Sequence, residues 1–247
     1  MRFIADLHLH SPYSRATSKT INLEELARWG KIKGIDIIGT SDFTHPAWRK
    51  EITSNLTERE PGLYCLKNSR AKTRFILSSE ISCIYKKNNK VRKIHLLLLV
   101  PTIKAADKIT AGLAKIGNVK SDGRPILGVD ARDIVKLVLD ADSNSLVIPA
   151  HIWTPWFSLF GSRSGFDSLE ECFDKESKYI YALETGLSSD PEMNWKISDL
   201  DKYTLVSNSD AHSPDKLGRE ANVFELPATE LSFNKIRGVI KSGDPRY

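Results

Sequence analysis

Phe3-Ile4-Ala5-Asp6-Leu7-His8-Leu9-His10 is the stretch that decides the fold. A short apolar run of this kind reads as a buried strand. It ends in a carboxylate and two histidines. His8 and His10 are two residues apart, and strand side chains two apart share a face, so both imidazoles point the same way. In α/β barrels the strand carboxyl ends converge on one face, where active sites are built. Reactive residues at the end of the first strand therefore ask whether later strands end in the same way.

They do. Further strand candidates cover residues 35–40, 74–79, 94–100, 145–150, 179–183 and 205–208. Ser41-Asp42-Phe43-Thr44-His45 ends the second, Glu80 the third, and His95 opens or lies in the fourth. His151 ends the fifth, Glu184 the sixth, and Asn208-Ser209-Asp210-Ala211-His212 the seventh. All six histidines of the chain belong to this set. One histidine on an apolar strand is ordinarily a core or capping residue; that explanation does not account for six histidines and several acids all placed at strand ends.

Helical stretches lie between the strands. Asn22 caps a helix with an acidic first turn that Gly34 terminates. Residues 130–139, 169–173 and 234–241 read similarly, the last followed by Gly243 and Pro245, while the Gly-rich, polar residues 112–127 read as a loop. Alternating β and α segments predict parallel strands joined by crossover helices. Seven strand candidates in 247 residues predict an α/β barrel or a close relative of one, rather than an open sheet, as a single domain over residues 1–247.

Composition narrows the function class. The chain is 40% hydrophobic and 27% charged, as globular proteins are. No apolar run approaches the roughly 20 residues of a membrane span, and no secretory signal pattern opens the chain, so a cytoplasmic protein is expected. Three cysteines without a Cys-x-x-Cys pair exclude a disulfide framework and a thiolate zinc site. The net charge of +5 favours a polyanionic partner. Basic clusters occur at residues 15–19, 67–74 and 86–93, the last read as a hairpin tip between strands.

Imidazoles joined by Glu80 and Asp210 form a nitrogen/oxygen donor set suited to zinc, manganese or iron. Ions about 3.5–4 Å apart polarise a phosphate ester and acidify water, so no nucleophilic side chain is required. The motifs Asp6-Leu7-His8-Leu9-His10-Ser11, Thr40-Ser41-Asp42, Glu80, His95, Pro149-Ala150-His151 and Ser209-Asp210-Ala211-His212 together resemble the polymerase and histidinol phosphatase (PHP) superfamily, which implies an α/β fold of the distorted seven-stranded (β/α) TIM-like barrel kind. The segments at residues 8–19, 149–161, 182–190 and 207–214 are similar to endonuclease Q, a family that nicks DNA 5′ to uracil, hypoxanthine, xanthine or abasic sites.

The resemblance implies two or three divalent ions, zinc or else manganese or iron, with magnesium active in assays. His8, His10, Glu80 and Asp210 would hold one ion, and Glu80 would bridge to a second on His95 and His151. His45 and His212 would hold a third, because Phe43 stands where many relatives have a histidine after Asp42. Asp42, Glu80 and Asp210 would be the catalytic acids, Asp42 either as a ligand or as a residue orienting one. The resemblance also implies that a zinc-bearing region follows Tyr247 in the longer protein, of which this chain would be a truncated form, and that a replication sliding clamp is a partner in a nucleoid-associated setting.

The loop after His151 carries Trp153, Trp156 and Phe160, aromatics able to stack a flipped base or wedge a duplex. Arg163 and Ser164 lie among glycines that can wrap a phosphate. Arg15, Lys19, Lys216 and Arg219 follow ligand-bearing strand ends and are expected to touch the DNA backbone. The expected function is a metal-dependent endonuclease acting on damaged double- or single-stranded DNA. The alternative is a PHP-family phosphatase of histidinol phosphate or nucleotides; a non-catalytic DNA-binding domain is disfavoured by the complete ligand set.

Overall fold

A computed structural model describes residues 1–69, 71–244 and 246. Pro245, expected to stop the last helix, lies outside the described residues, as do Arg70 of the second basic cluster and Tyr247. Among the described residues the strands are β1 (Arg2–Asp6), β2 (Ile37–Gly39), β3 (Leu56–Glu60), β4 (Leu63–Leu66), β5 (Arg74–Lys87), β6 (Lys90–Val100), β7 (Ile126–Leu127), β8 (Leu146–Pro149), β9 (Ala182–Glu184), β10 (Thr204–Val206) and β11 (Asn222–Glu225). The helices are α1 (Leu23–Lys33), α2 (Pro46–Asn55), α3 (Ile103–Ala114), α4 (Ala131–Ala141), α5 (Leu169–Phe173), α6 (Pro191–Asn194) and α7 (Phe233–Ser242). None is long and apolar enough to cross a membrane.

Local chemistry sets the helix ends. The Asn22 side chain accepts from Glu25 N–H at the start of α1, and Gly34 closes that helix in the left-handed region at φ 73°. Asp130, Ser168 and Ser232 cap α4, α5 and α7 in the same way. The loop expected over residues 112–127 is shorter than its Gly content implied, since residues 112–114 end α3 and Ile126–Leu127 add a strand to β5.

The sheet departs from the expected parallel alternation. β1, β2 and β5 run parallel, but β5 and β6 form a long antiparallel hairpin, and β6 pairs antiparallel with β8. The turn explains the reversal. Lys87 pairs with Lys90, and Asn88 and Asn89 between them adopt φ 54° and 57°, the left-handed pair of a type I′ hairpin turn. Residues 86–93 are thus the basic hairpin tip read from sequence.

The hydrogen-bonded ladders form a nine-stranded mixed sheet and a two-stranded parallel sheet of β9 and β10. Two seams between them lack a continuous strand ladder. Ile152 N–H donates to the Glu184 carbonyl at 3.0 Å beyond the ends of β8 and β9. Leu9 and Ala211, beyond β1 and β10, form an isolated parallel bridge. Asn208 stitches this second seam: its Oδ1 accepts from Leu7 N–H and Asn222 Nδ2, each at 2.9 Å, while its Nδ2 donates to Glu184 Oε1 at 2.8 Å. Asn208 is buried, so Asn208→Ala strands Leu7 N–H and deprives Glu184 of a donor. That change is expected to lower stability by about 2–4 kcal/mol in urea unfolding, the cost of two buried unpaired groups.

Candidate metal centre

Glu80 sits in the interior of β5, buried at 1% exposure, and is reached by a histidine of the paired strand β6 and by histidines from the segments after β1 and β8. His95 Nδ1 lies 2.7 Å and His151 Nε2 3.2 Å from Glu80 Oε1. His10 Nε2 lies 3.3 Å and His8 Nε2 3.7 Å from Glu80 Oε2. Asp210 Oδ1 stands 3.1 Å from His10 Nε2 and 3.9 Å from His8 Nε2. The reversal of β6 places His95, in the middle of that strand, opposite Ser82 just past Glu80.

Several of these buried atoms lack hydrogen-bond partners: His8 Nε2, both His10 ring nitrogens, and Asp210 Oδ1. Orphaned buried nitrogens and carboxylate oxygens aimed at one another are costly without a further partner. Nitrogen and oxygen donors in this arrangement fit divalent metal ions. The donors form three groups, each with ligand atoms within 4.8 Å of one another: His8, His10 and Glu80; Glu80, His95 and His151; and His10, Asp210 and His212.

Charge is balanced internally. Burial alone would raise the Glu80 carboxyl, but His95, Arg124 and His8 outweigh it and hold it well below the usual carboxylate range. Burial disfavours a charged His8, yet Glu184 and Glu80 lift its pKa well above the ordinary imidazole value. For His95 burial prevails over Glu80 and lowers the pKa to about 4.

A second ring of contacts aims the ligands. Glu184 holds His8 Nδ1 at 3.0 Å through both oxygens and accepts from His151 N–H at 2.8 Å. Asp42 accepts from Ser11 N–H at 2.7 Å and Ser14 Oγ at 2.8 Å, while its Oδ1 faces His10 Nδ1 at 3.4 Å. That geometry orients His10. The backbone turns sharply as it delivers these side chains: Ser41, Asp42, His151 and Asp210 all have positive φ. Such strain at non-glycine residues costs on the order of 1–3 kcal/mol each and clusters at functional sites. Gly186, at φ 62°, packs against His151 so closely that a Cβ would lie 2.4 Å from the His151 Cβ.

Other expected site residues fall as follows. His45 is kept apart from the ligand groups: Pro46 starts α2 directly after it, its Nε2 meets the Lys120 carbonyl at 3.1 Å, and its ring stacks on Tyr13 at 4.3 Å. Expected as a ligand beside His212, it is not brought to it. Ser164, expected to face DNA, is buried; its hydroxyl accepts from Phe157 N–H and donates to the Lys93 carbonyl, fastening the loop to β6. Trp153 and Phe160 are half-buried and stack on each other at 4.8 Å, with Trp153 Nε1 donating to Asn194. Trp156 is half exposed beneath Lys93, and Phe157 packs on His95. Arg15, Lys19, Arg163, Lys216 and Arg219 are exposed. Arg219 also donates to the Ser209 carbonyl at 2.8 Å, bracing the Asp210 turn.

Sequence reasoning missed Arg124, whose Nη1 donates to Glu80 Oε2 at 3.0 Å. It noted Glu184 at a strand end but gave it no role. Arg124 lies in a segment read as loop, and only the pairing of β7 with β5 signals its position.

A scan against protein-family models finds none that matches the chain. The chain is 32% identical to YqxK of Bacillus subtilis over 261 aligned residues, which span 99% of this chain and 63% of that protein. Its structure is similar to the crystal structure of the lesion-specific endonuclease PfuEndoQ from Pyrococcus furiosus, with a TM-score of 0.85 and 34% identity over 98% of this chain and 56% of the other. It is equally similar to endonuclease Q in complex with a 27-mer duplex bearing an abasic lesion at the active site, with a TM-score of 0.85 and 33% identity over 98% and 57% of the two chains. The chain thus spans somewhat over half the length of these relatives.

Glu80 belongs to two of the three donor groups and His212 to one. Glu80→Gln is therefore expected to empty more of the centre than His212→Ala, as read by metal content after loading. Glu184→Gln, which keeps the shape but weakens the hold on His8, should lower metal affinity about 10–100-fold in chelator competition.

Proposed function

We propose that this chain is the metal-bearing part of a DNA repair endonuclease of the PHP type, which hydrolyses a phosphodiester 5′ to a deaminated base or an abasic site. The observation that carries this reading is the buried Glu80 carboxylate shared by His8, His10, His95 and His151. The similarity to endonuclease Q over 98% of the chain supports the DNA substrate. DNA, rather than a sliding clamp, is the partner this similarity favours. The fold reading goes with it: β1, β2, β5, β6, β8, β9 and β10 make a distorted seven-stranded TIM-like barrel, a reading supported by the contacts at its two seams.

In this reading His8, His10, Glu80, His95, His151, Asp210 and His212 hold two or three divalent ions. Those ions supply Lewis-acid polarisation of the phosphate and acidification of water. The chain's own residues arrange the rest. Glu184 and Asp42 fix the His8 and His10 rings, and burial keeps bulk water from the inner face of the centre. Net hydrolysis adds water across the P–O3′ bond, leaving a 3′-hydroxyl and a 5′-phosphate. The exposed Arg15, Lys19, Trp156, Arg163, Lys216 and Arg219 lie in loops that follow ligand-bearing strands and meet the nucleic acid around the break.

The test is direct. Metal-loaded protein is incubated with duplex and single-stranded oligonucleotides carrying one hypoxanthine, one uracil or one abasic site, and the product ends are mapped. A nick 5′ to the lesion is expected, lost with EDTA and lost in His8→Ala at unchanged melting temperature. Equal cutting of undamaged DNA would remove the repair reading. Turnover of small phosphate monoesters alone would make the chain a phosphatase.

A further inference from the structure

The donor groups differ in their exposure to solvent. His8 and His10 side chains are wholly buried, whereas those of His212, Asp210 and Arg124 are 33%, 27% and 24% exposed. Two of these three residues at the mouth are donors to the groups described above. The third is a cation, and the proposed hydrolysis has so far given it no part.

Arg124 is held in place from both sides. Gly123 before it is wedged where a Cβ would lie 2.3 Å from Asp42 Oδ2 and 2.4 Å from Ser14 Oγ, and its N–H donates to the Tyr13 carbonyl at 3.1 Å. Pro125 after it accepts from Ser82 N–H at 3.0 Å, at the start of the β7–β5 pairing. Arg124 N–H itself donates to Asp122 Oδ1 at 3.1 Å. Nη1 donates to Glu80 Oε2, and among the described residues that is the only side-chain hydrogen bond of Arg124. Nε and Nη2 keep their N–H groups for another acceptor.

A guanidinium is planar and forked, and its geometry matches two oxygens of a phosphate. With one arm tied to Glu80, its remaining donors are fixed beside the donor groups at the open mouth.

Building on the endonuclease reading, we propose that Arg124 is a substrate-contacting residue that binds a non-bridging oxygen of the scissile phosphodiester, with Glu80 as its anchor. Because the contact is to phosphate alone, it serves any phosphoester that enters the mouth, and base identity is read elsewhere.

The test uses the whole metal-loaded chain and inorganic phosphate as the probe, measured by calorimetry, with metal content measured in parallel. Arg124→Gln is expected to retain the bound metal and lose about tenfold or more in phosphate affinity, the worth of one charged hydrogen-bonded pair. Arg124→Lys, which keeps the charge but not the fork, should recover part of it. On a lesion duplex, Arg124→Gln should raise KM and lower kcat. Phosphate affinity equal to the unmodified protein would overturn the proposal. So would a loss of affinity that excess metal fully restores, because Arg124 would then act only through Glu80. If phosphate binding depends on Arg124 while no DNA is nicked, the proposal stands and the endonuclease reading fails.

Discussion

The Glu80 carboxylate in the middle of β5 is the constraint on which the rest of the structure turns. An ionised carboxylate with no exposure is prohibitive unless paired and hydrogen-bonded. Its partners come from four segments: the exit of β1 (His8, His10), the middle of β6 (His95), the exit of β8 (His151) and the β7 approach (Arg124). The strand order serves this need. β5 has β2 on one flank, which leads to β1, and β6 on the other, which leads to β8.

Delivering side chains inward from strand ends has a conformational cost that is visible in the backbone. Asp42, His151 and Asp210 leave their strands in the left-handed region, where a Cβ is crowded. Rigid neighbours make this tolerable. Asp42 is held by Ser11 and Ser14, His151 by Glu184, and Asp210 by Arg219 bonded to its own and the preceding carbonyl. The strain thus sits where ligand direction matters, and the hydrogen bonds that hold it also fix ring orientation.

Much of the centre was legible in the sequence because polar residues at the ends of apolar runs are conspicuous. His8, His10, Glu80, His95, His151, Asp210 and His212 could be placed together from strand periodicity and position. What period alone cannot give is direction. Residues 74–79 and 94–100 read as separate strands, and the Asn88-Asn89 turn reverses the second. The seams at Leu9–Ala211 and Ile152–Glu184 have no continuous strand ladder, so they leave no periodic pattern. His45 shows the opposite failing: it follows a strand like the others, but Pro46 commits the next residues to a helix and carries its ring toward Tyr13.

Arg124 was illegible for a related reason. Its segment is irregular, and its position depends on the absence of a side chain at Gly123 and on a carbonyl at Pro125. Neither is a motif. Yet irregular backbone fixed by a regular sheet is where binding groups are expected, since loops present them and the scaffold holds them still. The same logic divides the labour of the molecule. In the proposed reading the buried donor groups would act on the phosphate, and the exposed loops around them would meet the rest of the substrate. Trp156 and Arg163 stand exposed on one such loop, on a segment anchored to β6 by Ser164.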